Sequence, residues 1–259
     1  YLQQLGIGTV YTSPVMAATP GSMHGYDGTN PLMINSELGT ETDLRSVSNA
    51  LQKNRISWLL DIAPNHMAFN EHNPRLMDVL EHGPHSSYSR FFDILWNSPL
   101  HDGRLMVPFE GSQLEKTLKE RHIEEKYYRI CNWKETDYRI NYRRFFTIND
   151  LICLNMQDPE VFTSYHQYIL QLLEEGIFQG LRIDHLDGLY NPTAYLNSIR
   201  AAAGKECFII VEKILQQNEE MPGYWPVQGN TGYDFLSIVN NVFTNPAGKE
   251  AFTAFYENL

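Results

Sequence analysis

An α/β fold built on a parallel sheet is what the 259-residue sequence predicts, and three features predict it. Short apolar runs alternate with longer stretches of helical periodicity, the pattern of strand–helix–strand units. The runs are apolar throughout rather than every second residue, as in strands covered on both faces. Polar residues gather just after them: Asp61, Asn65 and His66 after one run, Arg182, Asp184 and His185 after a second, Glu212 and Lys213 after a third. That placement favours a barrel, whose chemistry lies at the C-terminal ends of its strands. A doubly wound sheet stays open, weakened because no glycine-rich nucleotide fingerprint follows any run.

The elements follow in order. Tyr1–Gly6 reads as the tail of a helix; without a starting Met or a basic leader, the chain is expected to be part of something longer. Ile7–Tyr11 (IGTVY) reads as a buried strand ending at Ser13-Pro14, and Thr19–Asn35, rich in Gly, Pro, Ser and Asn, as a long loop. Leu44, Val47, Ala50 and Leu51 have helical spacing within Thr40–Asn54, with Thr40 or Thr42 as N-cap. Ile56–Ile62 (ISWLLDI) is the next strand, stopped by Ala63-Pro64-Asn65-His66. Residues 67–145 break the rhythm and read as an inserted subdomain with a charged helical stretch near Gln113–Tyr128, dividing the chain into 1–66, 67–145 and 146–259. Alternation then resumes: a helix over Pro159–Glu175 ended by Gly176, a strand over Gly180–Ile183, a helix over Pro192–Ala203 ended by Gly204, and a strand over Cys207–Val211. A short strand or turn is expected within Val227–Phe235, and a further helix from Phe243 towards Leu259.

Composition narrows the function. A formal net charge of −11 argues against a nucleic-acid partner, which requires a basic surface. No apolar run reaches membrane-spanning length. Cys131, Cys153 and Cys207 are odd in number, widely spaced and free of a CxxC pair, which suggests neither a disulfide framework nor a zinc site and fits a cytoplasmic setting. Fifteen Tyr and four Trp are enough aromatic faces to stack on sugar rings, although any one of them serves a core equally well.

Asp184 and Glu212 carry the chemical argument. They end runs one α/β unit apart and so should face one pocket from adjacent strands. Two carboxyl groups in one pocket suit glycosidic bond cleavage, one attacking the anomeric carbon and one shuttling a proton. Arg182, two residues before Asp184, points to the same side of a strand and would hold Asp184 ionised. The plainer alternative is that these acids cap helices or pair with a nearby Arg. His66 and His185 with Asp61 and Asp184 might be thought to imitate a metallohydrolase, but no HxH or HExxH spacing supports that. His72, His82, His85 and His101 also lack ligand spacing and read as loop surface.

These residues resemble the shared motifs of the α-amylase superfamily. Asp61-Ile-Ala-Pro-Asn65-His66 resembles its first motif, Gly180-Leu-Arg182-Ile-Asp184-His185 its second, and Val211-Glu212-Lys213 its third; His24-Gly25-Tyr26-Asp27 resembles the loop whose Tyr stacks on the sugar. A finer resemblance, to the maltooligosyl trehalose synthase family, rests on Met77–Pro84, Tyr88–Ile94, Ile140–Phe146, Arg182–Leu189, Val211–Leu215 and Trp225–Asp234. It covers essentially the whole chain.

The resemblance implies a (β/α)₈ barrel with an insertion after its third strand, of which the second to sixth strands are present. It implies a retaining enzyme that converts the reducing-end α-1,4 linkage of a maltooligosaccharide or linear α-1,4-glucan into an α,α-1,1 linkage, with Asp184 as nucleophile and Glu212 as acid/base. Asp61 would be structural; Tyr26, His66 and Arg182 would serve the donor, His185, Asp187, Lys213, Tyr233 and Asp234 the retained glucose, and His24, Asp27 and Asn65 would also bind substrate. No cofactor or metal is implied. A maltooligosyl trehalose trehalohydrolase is the implied pathway partner. Leu186, Thr147 and Asn30 depart from the family's Pro, Asp and acid. The family's third carboxylate follows its seventh strand, so these residues alone are expected to be inactive. The alternatives are a hydrolase or 4-α-glucanotransferase of the same superfamily, and a non-catalytic glucan-binding piece.

Overall fold

A computed structural model describes residues 1–259. The first half contains β1 (Thr9–Thr12), β2 (Met16–Ala18), β3 (Gly28–Ile34), α1 (Glu41–Lys53), β4 (Ser57–Ile62), β5 (His66–Ala68), α2 (Pro74–His82), β6 (Leu105–Val107), α3 (Gln113–Glu120) and β7 (Tyr128–Ile130). The second contains α4 (Thr136–Arg139), β8 (Leu151–Cys153), α5 (Pro159–Glu174), β9 (Gly180–Ile183), α6 (Pro192–Ala203), β10 (Phe208–Val211), β11 (Gly229–Asn230), α7 (Tyr233–Val242) and α8 (Lys249–Glu257).

The main sheet has the order β1-β4-β9-β10-β11, and every neighbouring pair is parallel. Each new strand joins on the same side as the last. A doubly wound sheet reverses direction at a switch point, so this one-way order is that of a barrel arc. Leu60, Ile62, Leu181, Ile183, Ile209 and Val211 are at most 2% exposed and form the apolar face. The alternate positions Asp61 and Arg182 point the other way, and Asp184 and Glu212 follow just past the strand ends.

The helices start where their caps dictate. Thr40 accepts from the Asp43 N–H while Asp43 accepts from the Thr40 N–H, a reciprocal capping box for α1. Asp158 and Asn191 cap α5 and α6, each followed by Pro at the first helical position. Gly180 lets β9 approach its neighbours: a Cβ there would sit 2.2 Å from the Phe208 carbonyl oxygen and 2.6 Å from Leu59 Cδ2. Gly180→Ala is therefore expected to cost about 1–3 kcal/mol through overpacking. A lowered thermal midpoint checks this, and an unchanged one would mean that β9 and β10 are less tightly apposed.

Between β4 and β9 no strand enters the main sheet. β5 pairs antiparallel with β8, and β6 pairs parallel with β7. Phe69, Leu76, Phe92, Leu105, Met106, Leu118 and Leu154 are fully buried there, within one apolar core shared with the main sheet.

Several expectations need correction. Thr19–Asn35 is not one loop, because β2 and β3 form an antiparallel ribbon. The Gly, Pro and Asn content that suggested a loop is tolerated because the ribbon has two strands and an irregular register, leaving an edge for Pro31. The helix from Gln113 stops at Glu120, followed by a left-handed turn at His122, and Tyr128 belongs to β7. The short strand expected within Val227–Phe235 is β11, but the chain breaks at Pro246 between α7 and α8, so Phe243–Leu259 is not one helix. His82 is in α2 rather than a loop, and His101 is fully buried, bonded to the Arg139 carbonyl at 2.7 Å. No helix is long and apolar enough to cross a membrane.

Candidate active site

Arg182 is the hub. Its guanidinium donates to Asp61 Oδ2 at 2.9 Å and to Asp184 Oδ1, and its other nitrogen forms an ion pair with Glu212 Oε1 at 3.1 Å. Three carboxylates from β4, β9 and the end of β10 thus share one buried cation, a consequence of adjacent parallel strands in register at Asp61 and Arg182. Asp61 is the innermost, 1% exposed, and also accepts from the hydroxyls of Tyr11 at 2.5 Å and Tyr26 at 2.6 Å.

Glu212 is also held by one backbone and one side-chain donor. The His185 N–H donates to its Oε2 at 2.8 Å, and the Tyr233 hydroxyl donates to Oε1 at 3.1 Å. His185 reaches this position in the left-handed region, at φ 48°, heading the turn Leu186–Gly188. Gly188 is required there, because a Cβ would lie 2.2 Å from His185 Cδ2.

The two acids are electrostatically unlike. Burial raises Asp184 to about 6; Arg182 pulls it down and Glu212 pushes it further up. Burial also pushes Glu212 up, but the His185 N–H, Arg182, the Tyr233 hydroxyl and a contact with Asp184 outweigh it and leave it below the usual carboxylate value. At neutral pH both are mainly ionised, with Asp184 the first to take a proton on acidification.

A cleft of about 500 Å³ opens over the pair, lined by His24, Tyr26, His66, Phe145, Phe146, Asp184, His185, Glu212 and Ile214 among others. That is within the range of small-molecule sites, ~300–1,000 Å³. His66 is 2% exposed and neither ring nitrogen meets a hydrogen-bond partner. Burial, reinforced by the nearby His185, lowers it to about 4, so it is a neutral imidazole whose nitrogens are unmatched. Phe145 packs on both His66 and His185, at 4.4 and 4.5 Å between ring centroids, and Phe146 on His185 at 4.7 Å.

The remaining expected site residues are placed as follows. Tyr26 stacks on His24 at 5.8 Å. Asp27 accepts from Ser22 Oγ at 2.5 Å within its own loop. Asn65 is fully buried, its amide donating to the Gly188 carbonyl at 2.6 Å and accepting from Cys153 Sγ. Lys213 bridges Asp187 at 3.0 Å and Glu219 at 2.7 Å, tying the loops after β9 and β10 together. Asp234 is exposed in the first turn of α7 and makes no side-chain hydrogen bond or ion pair with the others. No group of three or more His, Cys, Asp or Glu side chains is arranged to hold a metal ion, so His66, His185, Asp61 and Asp184 do not form a ligand set. Tyr11, Phe145, Phe146 and Arg143 were not singled out from the sequence as site residues. Tyr11 had a signal, its place at the end of a strand run.

A one-way parallel sheet with carboxylates gathered at adjacent strand ends defines the arc of a barrel-like α/β domain. The chain belongs to the α-amylase catalytic-domain family, whose profile matches residues 1–225. It is 35% identical, over all of its length, to a Mycobacterium tuberculosis protein provisionally named maltooligosyl trehalose synthase, and covers 37% of that relative. It superposes on the maltooligosyltrehalose synthase of Arthrobacter ramosus with a TM-score of 0.88 at 32% identity, covering 96% of this chain and 36% of that one. A hypothetical maltooligosyl trehalose synthase of Sulfolobus tokodaii gives 0.85 at 33% identity, over 100% of this chain and 38% of that one. The chain thus spans somewhat more than a third of the length of the relatives it matches.

Proposed function

We propose that this chain carries the nucleophile and the acid/base of a maltooligosyl trehalose synthase, an intramolecular transglucosylase. The observation that carries the reading is one guanidinium, Arg182, binding Asp184 and Glu212 from adjacent strands beneath a cleft. The five parallel strands would be the second to sixth of an eight-stranded barrel, and residues 67–145 its inserted subdomain.

Asp184 attacks the anomeric carbon of the terminal α-1,4 linkage while Glu212 gives a proton to the leaving oxygen. An entering sugar expels water and competes for the Tyr233 hydroxyl; both changes favour a proton on Glu212. His66 gains a hydroxyl partner for a ring nitrogen that now has none. The released glucose turns over beside His185 and Lys213, Glu212 takes the proton from its anomeric hydroxyl, and that oxygen displaces Asp184. Two inversions give the α,α-1,1 product. A trehalose-releasing hydrolase would consume it.

Maltopentaose given to the complete gene product should yield a pentasaccharide of unchanged mass without a reducing end. Shorter maltooligosaccharides alone would establish the hydrolase or glucanotransferase alternative instead. Transfer must outrun water, and Phe146 is placed to exclude it: 69% exposed, at φ 48°, with its ring over His185. Phe146→Ala is expected to raise the share of free glucose among the products several-fold with little change in thermal midpoint; an unchanged product ratio would remove Phe146 from that role.

A further inference from the structure

We infer that Arg143 is a positioning residue for the acid/base, holding Glu212 in place through the Gly188 carbonyl; the inference rests on the glycosyl-transfer reading above. Arg143 lies outside the main sheet, yet its guanidinium fastens three separate segments. Nε donates to Asp93 Oδ2 at 2.7 Å, Nη2 to the Leu154 carbonyl at 3.2 Å, and Nη1 to the Gly188 carbonyl at 2.5 Å. Asp93 and Leu154 are themselves fixed: the Asp93 N–H donates to the Cys153 carbonyl at 2.9 Å, and the Leu154 N–H to the Asn65 carbonyl at 2.8 Å. Asn65 then meets the same Gly188 oxygen from its other side at 2.6 Å.

Gly188 closes the turn that His185 opens. Its N–H donates to the His185 carbonyl at 3.0 Å, and the His185 ring lies against its Cα, where a Cβ would be 2.4 Å from Nε2. The left-handed conformation is strained for a non-glycine residue and persists only where the surroundings impose it. Here that conformation aims the His185 N–H at Glu212 Oε2, 2.8 Å away. With the Gly188 carbonyl released on the Arg143 side, the turn can relax, and the N–H leaves the carboxylate. The Arg143 guanidinium bonds neither Glu212 nor a side chain that lines the cleft; its charge acts on His66 and His185, and its hold on Glu212 passes through the turn.

An acid displaced from its leaving oxygen hurts only substrates that need protonation. Arg143→Ala and the milder Arg143→Lys, which keeps the charge but loses the three-way fork, should be made in the complete gene product. They should be compared on maltopentaose and on α-maltotriosyl fluoride, whose fluoride leaves without a proton. A misplacement of about 1 Å can cost 10²-fold. We expect the rate on maltopentaose to fall about 10- to 100-fold in the Ala variant and less in the Lys variant. First-turnover fluoride release per folded molecule should stay within about twofold of the unaltered protein. Equal losses on both substrates, or a lowered thermal midpoint with both rates intact, would overturn the inference and leave the functional reading standing. An unaltered protein inactive on both would overturn the reading, and the inference with it.

Discussion

Asp184→Asn is expected to abolish glycosyl transfer while raising the thermal midpoint at neutral pH. Without the proposed nucleophile the reaction should slow by roughly 10³- to 10⁶-fold, the range seen when a covalent catalyst is removed. The stability effect has a separate cause. Asp61, Asp184 and Glu212 crowd one guanidinium, so negative charge is in excess at the hub. Burial and the adjacent Glu212 lift Asp184 to about 6, above the ~3.9 of an unfolded Asp. The native state therefore binds the proton more tightly than the unfolded chain, and stability falls as pH rises from about 4 through about 6. At pH 7 the ionised Asp184 is a cost on the order of 1–3 kcal/mol, which Asn removes while still accepting from Arg182. Melts of both proteins at pH 7 and pH 4 check this: Asn should melt higher at pH 7, and the gap should close at pH 4. A variant that melts lower at pH 7 would show that the Arg182 pair outweighs the crowding. The same titration sets the acid limb of kcat/KM, which should fall as pH drops below about 6, when Asp184 takes a proton and cannot attack.

What the sequence reveals of this site is set by range. Asp184, Arg182 and Glu212 are legible because strand ends and a two-residue spacing put them on one side of adjacent strands, all within one stretch of alternation. The helix ends are legible because Thr40, Asp158 and Asn191 are local signals. Arg143 is not, since its partners lie 50 and 45 residues away and no periodicity links them. Phe145 and Phe146 read as one more aromatic pair until the excursion folds back and lays them on His66 and His185. His101 is hidden for a similar reason: its burial depends on a carbonyl 38 residues on. The β2/β3 ribbon is the opposite failure, where local composition spoke for a loop and a long-range pairing overrode it.

Arg182→Met should be the most damaging single substitution to the fold. The side chain is 8% exposed, its stem matched by Met as far as Nε, and its guanidinium met by Asp61, Asp184 and Glu212. Removing the cation leaves three carboxylates facing one another without their common partner. Breaking a buried pair from one side costs about 3–5 kcal/mol, because the remaining charge stays desolvated. The native structure has only one cheap response, to take up protons. Asp61, already raised by burial despite the Tyr11, Tyr26 and Arg182 contacts that oppose it, would rise further, and Asp184 with it. With native values above the unfolded ones, the lost stability should return as pH falls and the carboxyls protonate. Urea unfolding of Arg182→Met at pH 7.5 and pH 5 should therefore show a large deficit at the higher pH and a smaller one at the lower. A deficit that does not shrink with acid would assign the role of Arg182 to packing. Asp61→Asn in the same background separates the two accounts further. It should recover part of the stability at pH 7.5 if the repulsion is electrostatic, and none if the methionine simply fits badly.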